Sequence, residues 1–270
     1  MKKSIIVIFV FFILILFQTF GQTWSGLKRL TWNADGSDKP AIASDSGKGI
    51  HMVWQDYTPL NWEIFYKHST NGGTTWPGPI RLTWNPGVSS WPSIATDSAS
   101  GIHVVWCDAS PGNYEIFYKR STDGGTTWSE LTRLTWNPGN SYFPSITADS
   151  INGIHVVWGD DTSEDSEIFY KRSTDSGTTW SDPTRLTWNA GNSWVPSVTT
   201  DSGSGIYLVW QDKTPLNWEI FFKCSTDGGT TWSVPKRLTW NPGGSHSPSL
   251  ALDTGNGIHV VWCDTTPGNG

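Results

Sequence analysis

Residues 115–137 read EIFYKRSTDGGTTWSELTRLTWN, and close copies of this string begin at Glu63, Glu167 and Glu219. The step is 52 residues each time. The pentapeptide RLTWN begins at Arg29, Arg81, Arg133, Arg185 and Arg237, and an apolar run ends at Trp54, Trp106, Trp158, Trp210 and Trp262. No insertion or deletion breaks the register. A fixed period of this size is the mark of a repeat architecture. Each unit reads as four short strands, which in the first copy are strand A over 40–45, strand B over 49–54, strand C over 62–69 and strand D over 79–85. The runs are rich in Ile, Val, Phe, Tyr, Trp and Thr, and Gly, Pro, Asn and Asp bound them. No stretch sustains a period of 3.6.

Four short antiparallel strands per unit predict an all-β fold, a β-propeller of four-stranded blades. One such sheet cannot bury both faces alone; neighbours stacked around an axis do so and leave only short edges. A linear β-solenoid has shorter repeats without four-strand meanders. The chain holds five A, five B and five D segments, the first D being LKRLTWN over 27–33, but only four C segments. It stops at CDTTPGNG, where the other copies enter strand C. About five blades are therefore expected, the last one incomplete and able to borrow strand D from the N-terminus. An unfilled blade leaves unpaired edges, so the sequence reads as a C-terminally truncated piece of a six- or seven-bladed ring.

Outside the repeat, Lys2-Lys3 precede thirteen apolar residues, IIVIFVFFILILF over 5–17, and then QTFG. A basic start, a short apolar run and small residues at its end describe a signal peptide over 1–21. The run is too short for a membrane span, which needs about 20 apolar residues. The propeller is then 22–270, and the expected location is outside the cell. Lys+Arg total 18 against 24 Asp+Glu, a net charge of −6 without a basic stripe, which argues against nucleic acid as partner. Aromatic residues reach 14%, with 19 Trp, which excludes a disordered chain. Cys107, Cys224 and Cys263 do not recur with the repeat, so neither a disulfide framework nor a metal site is read, and no cofactor is expected.

The turns between strands C and D read STNGGTTW (69–76), STDGGTTW (121–128), STDSGTTW (173–180) and STDGGTTW (225–232). They match a Ser-x-Asp-x-Gly-x-Thr-Trp box, and the chain here resembles the Asp-box, or bacterial neuraminidase repeat, proteins. The resemblance covers nearly all of 22–270 and implies a secreted, sialidase-like β-propeller. Asn71 and Ser176 depart from the pattern. Physically the box is a turn: Asp and Ser accept backbone N–H groups, Gly supplies positive φ, and Trp packs as an apolar plug. It identifies a propeller without identifying an enzyme.

Strand direction alternates, so the loops after B and after D emerge on the face opposite the boxes. They are longer and more variable, and a sialidase-like active site is expected on that face. Binding usually lives in such loops. Two residue sets there are candidates for ligand binding. One is Asp56, Asp108, Asp160 and Asp212, with Asp264, each two residues after the strand-B Trp. They read either as a carboxylate ring for a cation or acid/base work, or as Asx turns that open the loops. The other is Trp62, Tyr114 and Trp218 with Trp91, Tyr142 and Trp194, flat rings able to stack on sugars or to pack between blades. His51, His103, His155 and His259 lie within strand B and read as interior packing with one hydrogen bond.

A sialidase-like centre implies three Arg for a carboxylate, a Tyr nucleophile with a Glu partner, and an acid/base residue. All seven Arg of the chain occupy repeat positions, five of them on the outermost strand, and no Phe/Tyr-Arg-Ile-Pro motif stands near the start. No catalytic set is assigned. The expected function is a non-catalytic glycan- or partner-binding scaffold. The alternative is an exo-sialidase-like glycoside hydrolase with its remaining catalytic residues further along a longer chain.

Overall fold

A computed structural model describes residues 25–32, 35–57, 60–214 and 216–265. The signal peptide expected over 1–21 lies outside these residues. Contacts divide the chain into a unit ending at Trp32 and a unit from Asn33 onward. In the first unit, residues 25–32 carry no strand, so the D segment expected over 27–33 is not formed as one.

The second unit is a β-propeller arrangement of antiparallel sheets, with no helix among the described residues. Its first blade is β1 (Ser37–Ser44), β2 (Ile50–Tyr57), β3 (Trp62–Ser69) and β4 (Ile80–Arg81). The second is β5 (Ser89–Thr96), β6 (Ile102–Asp108), β7 (Glu115–Ser121) and β8 (Thr132–Arg133). The third is β9 (Ser141–Ala148), β10 (Ile154–Asp160), β11 (Glu167–Ser173) and β12 (Thr184–Arg185). The fourth is β13 (Ser193–Thr200), β14 (Ile206–Asp212), β15 (Glu219–Ser225) and β16 (Lys236–Arg237), and the fifth shows β17 (Ser245–Leu252) and β18 (Ile258–Asp264). Within each of the four four-stranded blades the order is sequential, A-B-C-D.

Alternation within the strands gives every blade two apolar faces, and these meet at the seams. Val53, Ile64, Tyr66 and Leu82 of the first blade pack on Ile102, Val104 and Trp106 of the second. The same columns recur at the next seam, where Val105, Ile116, Tyr118 and Leu134 meet Ile154, Val156 and Trp158. The strand-B Trp stacks on the strand-C Phe of its own blade, Trp106 on Phe117 at 6.3 Å and Trp158 on Phe169 at 6.0 Å. Strands A are innermost. The backbone N–H groups of Ile146, Val198 and Leu250 donate to Ser93, Ser145 and Ser197 of the preceding blade.

Strand D pairs over only two residues, shorter than the expected 79–85. Side chains hold the rest of it. Arg81 Nη2 donates to Glu63 Oε1 at 2.9 Å and Arg81 Nε to the Thr83 carbonyl at 2.6 Å. Thr83 Oγ1 accepts from Ile64 N–H at 2.8 Å and donates to Glu63 Oε2. The Arg–Glu pairs recur as Arg133–Glu115, Arg185–Glu167 and Arg237–Glu219. Each Glu is buried; Glu63 and Glu219 receive both an Arg and a Thr donor, which supply the hydrogen bonds that burial would otherwise forfeit, whereas Oε2 of Glu115 and of Glu167 has no partner.

Candidate functional site

Strand A does not run straight into its blade. The A–B register shifts between Ser90 and Ser93, between Trp194 and Ser197, and at the equivalent places of the other blades. At each bulge one non-glycine residue before a proline takes positive φ: Lys39 (49°), Trp91 (50°), Phe143 (51°), Val195 (50°) and Ser247 (50°). A side chain in this region costs about 1–3 kcal/mol and persists only where the surroundings enforce it. Here Gln55 Oε1 accepts from Trp91 N–H at 2.9 Å, and Gln211 Oε1 from Ser247 N–H at 2.8 Å. The proline fixes the following φ and needs no donor partner. Four of these dipeptides, from Lys39-Pro40 to Val195-Pro196, line one open cavity of about 230 Å³.

Around this cavity the loop aromatics join into a belt. Trp91 meets Phe143 at 4.9 Å, Tyr114 at 6.2 Å and Tyr142 at 6.4 Å, all near edge-on. Tyr114 and Tyr142 are 5.3 Å apart. Phe143 reaches Trp194 at 6.4 Å, Trp194 stacks on Trp218 at 5.6 Å, and Trp218 meets His246 at 6.0 Å. Lys213 Nζ lies 6.0 Å from the Trp218 ring centroid. The rings are half-buried, and Trp194 Nε1 is a buried donor without an acceptor. Five of the six aromatic candidates are thus in the belt, whereas Trp62 packs edge-on against Tyr57 at 5.3 Å. Lys39, Phe143, Val195 and His246 were missed from sequence. Their signal was available: the columns 38/90/142/194/246 and 39/91/143/195/247 change residue at every copy of an otherwise uniform repeat.

The aspartates stand beneath this face. Asp56, Asp108 and Asp212 are fully buried and Asp160 is 1% exposed. Asp108 accepts from Ser89 Oγ at 2.7 Å, Asn85 Nδ2 at 2.7 Å, Trp106 Nε1 at 3.4 Å and Ser110 N–H at 2.8 Å. Asp160 accepts from Ser141, Trp158, Asn137 and Thr162, and Asp212 from Ser193, Trp210, Asn189 and Thr214. Asp56 accepts from Ser37 and Trp54. Asp108, Asp160 and Asp212 each tie their own B–C loop to the preceding D–A loop, and Asp56 ties β2 to the start of β1.

The opposite face holds the boxes. Asp123 accepts from Thr127 Oγ1 at 2.6 Å, from Thr127 N–H and from Ser121 Oγ at 2.8 Å, which holds its carboxyl down at about 2. The box Trp packs on the Tyr of the preceding blade, Trp128 on Tyr66 at 4.9 Å and Trp180 on Tyr118 at 5.0 Å. Each buried His makes two hydrogen bonds rather than one: His103 Nδ1 to Tyr118 Oη at 2.7 Å and Nε2 to Asp97 at 3.0 Å. His51 and His155 repeat the pattern, and burial pushes the His155 pKa down against the pull of Asp149. Arg120 and Arg172 donate to the next blade's box, at Ser176 and Thr178 and at Gly228 and Thr230.

No family model matches the chain, and no curated protein matches it. Solved structures do. A Dyadobacter fermentans protein of unknown function aligns over 84% of this chain and 74% of its own at 15% identity, TM-score 0.67. The Penicillium chrysogenum α-L-arabinanase, solved with arabinobiose, aligns over 83% and 74% at 15% identity, TM-score 0.64. A variant of the NanB sialidase from Streptococcus pneumoniae aligns over 85% of this chain but only 56% of its own, at 13% identity and TM-score 0.60. At these identities the likeness concerns the fold, a propeller shared with glycoside hydrolases.

Proposed function

We propose that the chain is an exported, Asp-box type propeller that binds glycans without cleaving them, on the face of the B–C and D–A loops. The observation that carries this reading is the aromatic belt around the bulged strand A starts. Half-buried rings held by neighbours offer flat apolar faces to sugar C–H groups, and Lys213 and His246 supply polar groups at the margin. The strained backbone beneath them fits a site whose geometry is fixed before the ligand arrives. In this reading Asp56, Asp108, Asp160 and Asp212 position the loops, and Trp91, Tyr114, Tyr142, Trp194 and Trp218 touch the ligand, with Trp62 at the periphery.

The arginines support binding over cleavage. The six in the second unit are engaged with buried Glu partners on the outer strand or with Asp boxes on the opposite face. A carboxylate grip of converging guanidinium groups is what orients a sialoside for the transition state. The test is a glycan array with purified protein, beside fluorogenic sialoside and arabinofuranoside assays. Glycan binding without turnover is expected, weakened at least about tenfold by Trp91→Ala or Trp194→Ala, an effect of the size seen at hot-spot aromatics. Robust hydrolysis abolished by a single loop substitution would replace this reading with a glycosidase.

A further inference from the structure

A second set of tryptophans lies away from the loop face and follows a different rule. Trp84, Trp136, Trp188 and Trp240 end the RLTWN strands, and they are 65%, 65%, 66% and 67% exposed. The Leu two residues earlier is buried in the seam, at 2% for Leu82 and 1% for Leu134 and Leu186. The Trp rings therefore contribute little to the core, and four large apolar rings stand open at equivalent points of the outer edge.

Their orientation is fixed. Arg81 lies 5.7 Å from the Trp84 centroid, and Lys119 of the next blade 5.8 Å. Trp136 has Arg133 at 5.8 Å and Lys171 at 5.3 Å, and Trp188 has Arg185 at 6.0 Å and Lys223 at 5.5 Å. Trp240 has Arg237 at 5.7 Å. The lysines are tethered as well, since Lys119, Lys171 and Lys223 each donate Nζ–H to a Leu carbonyl of the preceding blade. A ring held by cations from two blades loses little freedom on binding. Beside Trp84 lies a cavity of about 170 Å³ bordered by Asn85, Lys119, Glu130 and Leu131.

The surroundings select the ligand. The arginine charge is matched by a buried Glu, and Glu130 and Asp182 face Lys119 and Lys171. Around Trp84 and Trp136 the charges thus nearly balance, which gives no advantage there to an anionic polymer. Trp84 has one exposed apolar neighbour, Leu131, and otherwise Arg81, Lys119, Asn85 and Glu130 around it, so no large contiguous apolar patch forms there. A single flat ring bordered by hydrogen-bonding groups fits one sugar, apolar on its face and hydroxylated at its edge.

We propose that the outer rim is a separate, multivalent surface for a neutral polysaccharide, one pyranose or furanose unit on each of Trp84, Trp136, Trp188 and Trp240. Each contact is weak alone, and the polymer gains by engaging several at once. The proposal is tested by affinity electrophoresis of the full protein in gels containing hydroxyethylcellulose, xyloglucan, linear arabinan or dextran. Retardation by at least one polymer is expected. Each single Trp→Ala substitution should weaken it a few-fold and the quadruple variant by about a hundredfold, the range that avidity spans. Ile151→Ala, at an exposed apolar position of an A–B turn outside both the belt and the rim, should leave it unchanged. A measurement without rim substitutions guards against misfolding: in the Trp91→Ala background the retarding polymer should protect exposed Trp fluorescence from iodide quenching. No retardation in any gel, undiminished retardation of the folded quadruple variant, loss of retardation in Ile151→Ala, or unprotected fluorescence would each overturn the proposal. So would self-association of the wild type that vanishes in the quadruple variant, which would assign the rim to a second copy.

Discussion

Gly177 shows how narrowly single positions are determined. Its φ is +81°, and a Cβ added there would run into the Tyr118 hydroxyl of the preceding blade. Gly125 and Gly229 face Tyr66 and Tyr170 in the same way. The Tyr hydroxyl that approaches so closely is the one bonded to the buried His, so backbone, phenol and imidazole are stacked without spare room. Gly177→Ala is expected to destabilise by about 2–4 kcal/mol, as left-handed strain and overpacking add, with urea unfolding as the measure. Gly124, at φ +72°, has no atom within 4 Å of an added Cβ. Gly124→Ala should therefore cost only the backbone strain, about 1–2 kcal/mol. Equal losses at the two glycines would mean that the tyrosine contact contributes nothing.

At the scale of the element, the Asp box is a carboxylate turn, and its titration has a defined sign. Asp123 and Asp227 stand at about 2 and Asp175 lower still, because Thr side chains and backbone N–H groups donate to the ionised form. Folded values below the ordinary 3.8 mean that the unfolded chain takes up protons first. The stabilisation is complete above about pH 4 and is lost as pH falls toward 2, with the unfolded value as the upper limit. Urea midpoints should drop over that interval. The first blade contains the control: Asn71 accepts from Ser69 and Thr75 N–H and donates to Thr75 Oγ1, the same pattern without a titrating group. Asp175→Asn should keep the fold at pH 7 and flatten the acid slope. The hydrogen-bonded turn and strand C were legible in sequence, and the expected 62–69 is the strand observed at Trp62–Ser69. Strand D was not, because past Arg81 it is held by Thr83, Glu63 and Arg81 side chains rather than by a backbone ladder. The bulges were equally hidden. No propensity places Phe143 or Val195 at positive φ, and the belt that depends on them appears only when five strands A are brought side by side.

Across the molecule, the blades are alike in sequence but not in cover. Val209 and Trp210 on β14 are fully buried, whereas their counterparts Val261 and Trp262 on β18 are 67% and 42% exposed. Hydrogen exchange should therefore be fastest in β17–β18 and slowest in β6, β10 and β14, since local opening tracks missing apolar contacts. Equal protection in all five blades would show that the chain opens as one cooperative unit. The seam contacts have a further property: each spans a constant interval of chain, 37 residues for Lys to the Leu carbonyl and 56 and 58 for Arg to the next box. Removing or duplicating one whole period leaves every such interval intact at the new junction. Unequal recombination between the near-identical coding segments would then yield longer or shorter proteins whose joints are already correct, so the number of blades can drift by copying error while the chemistry of each joint stays fixed.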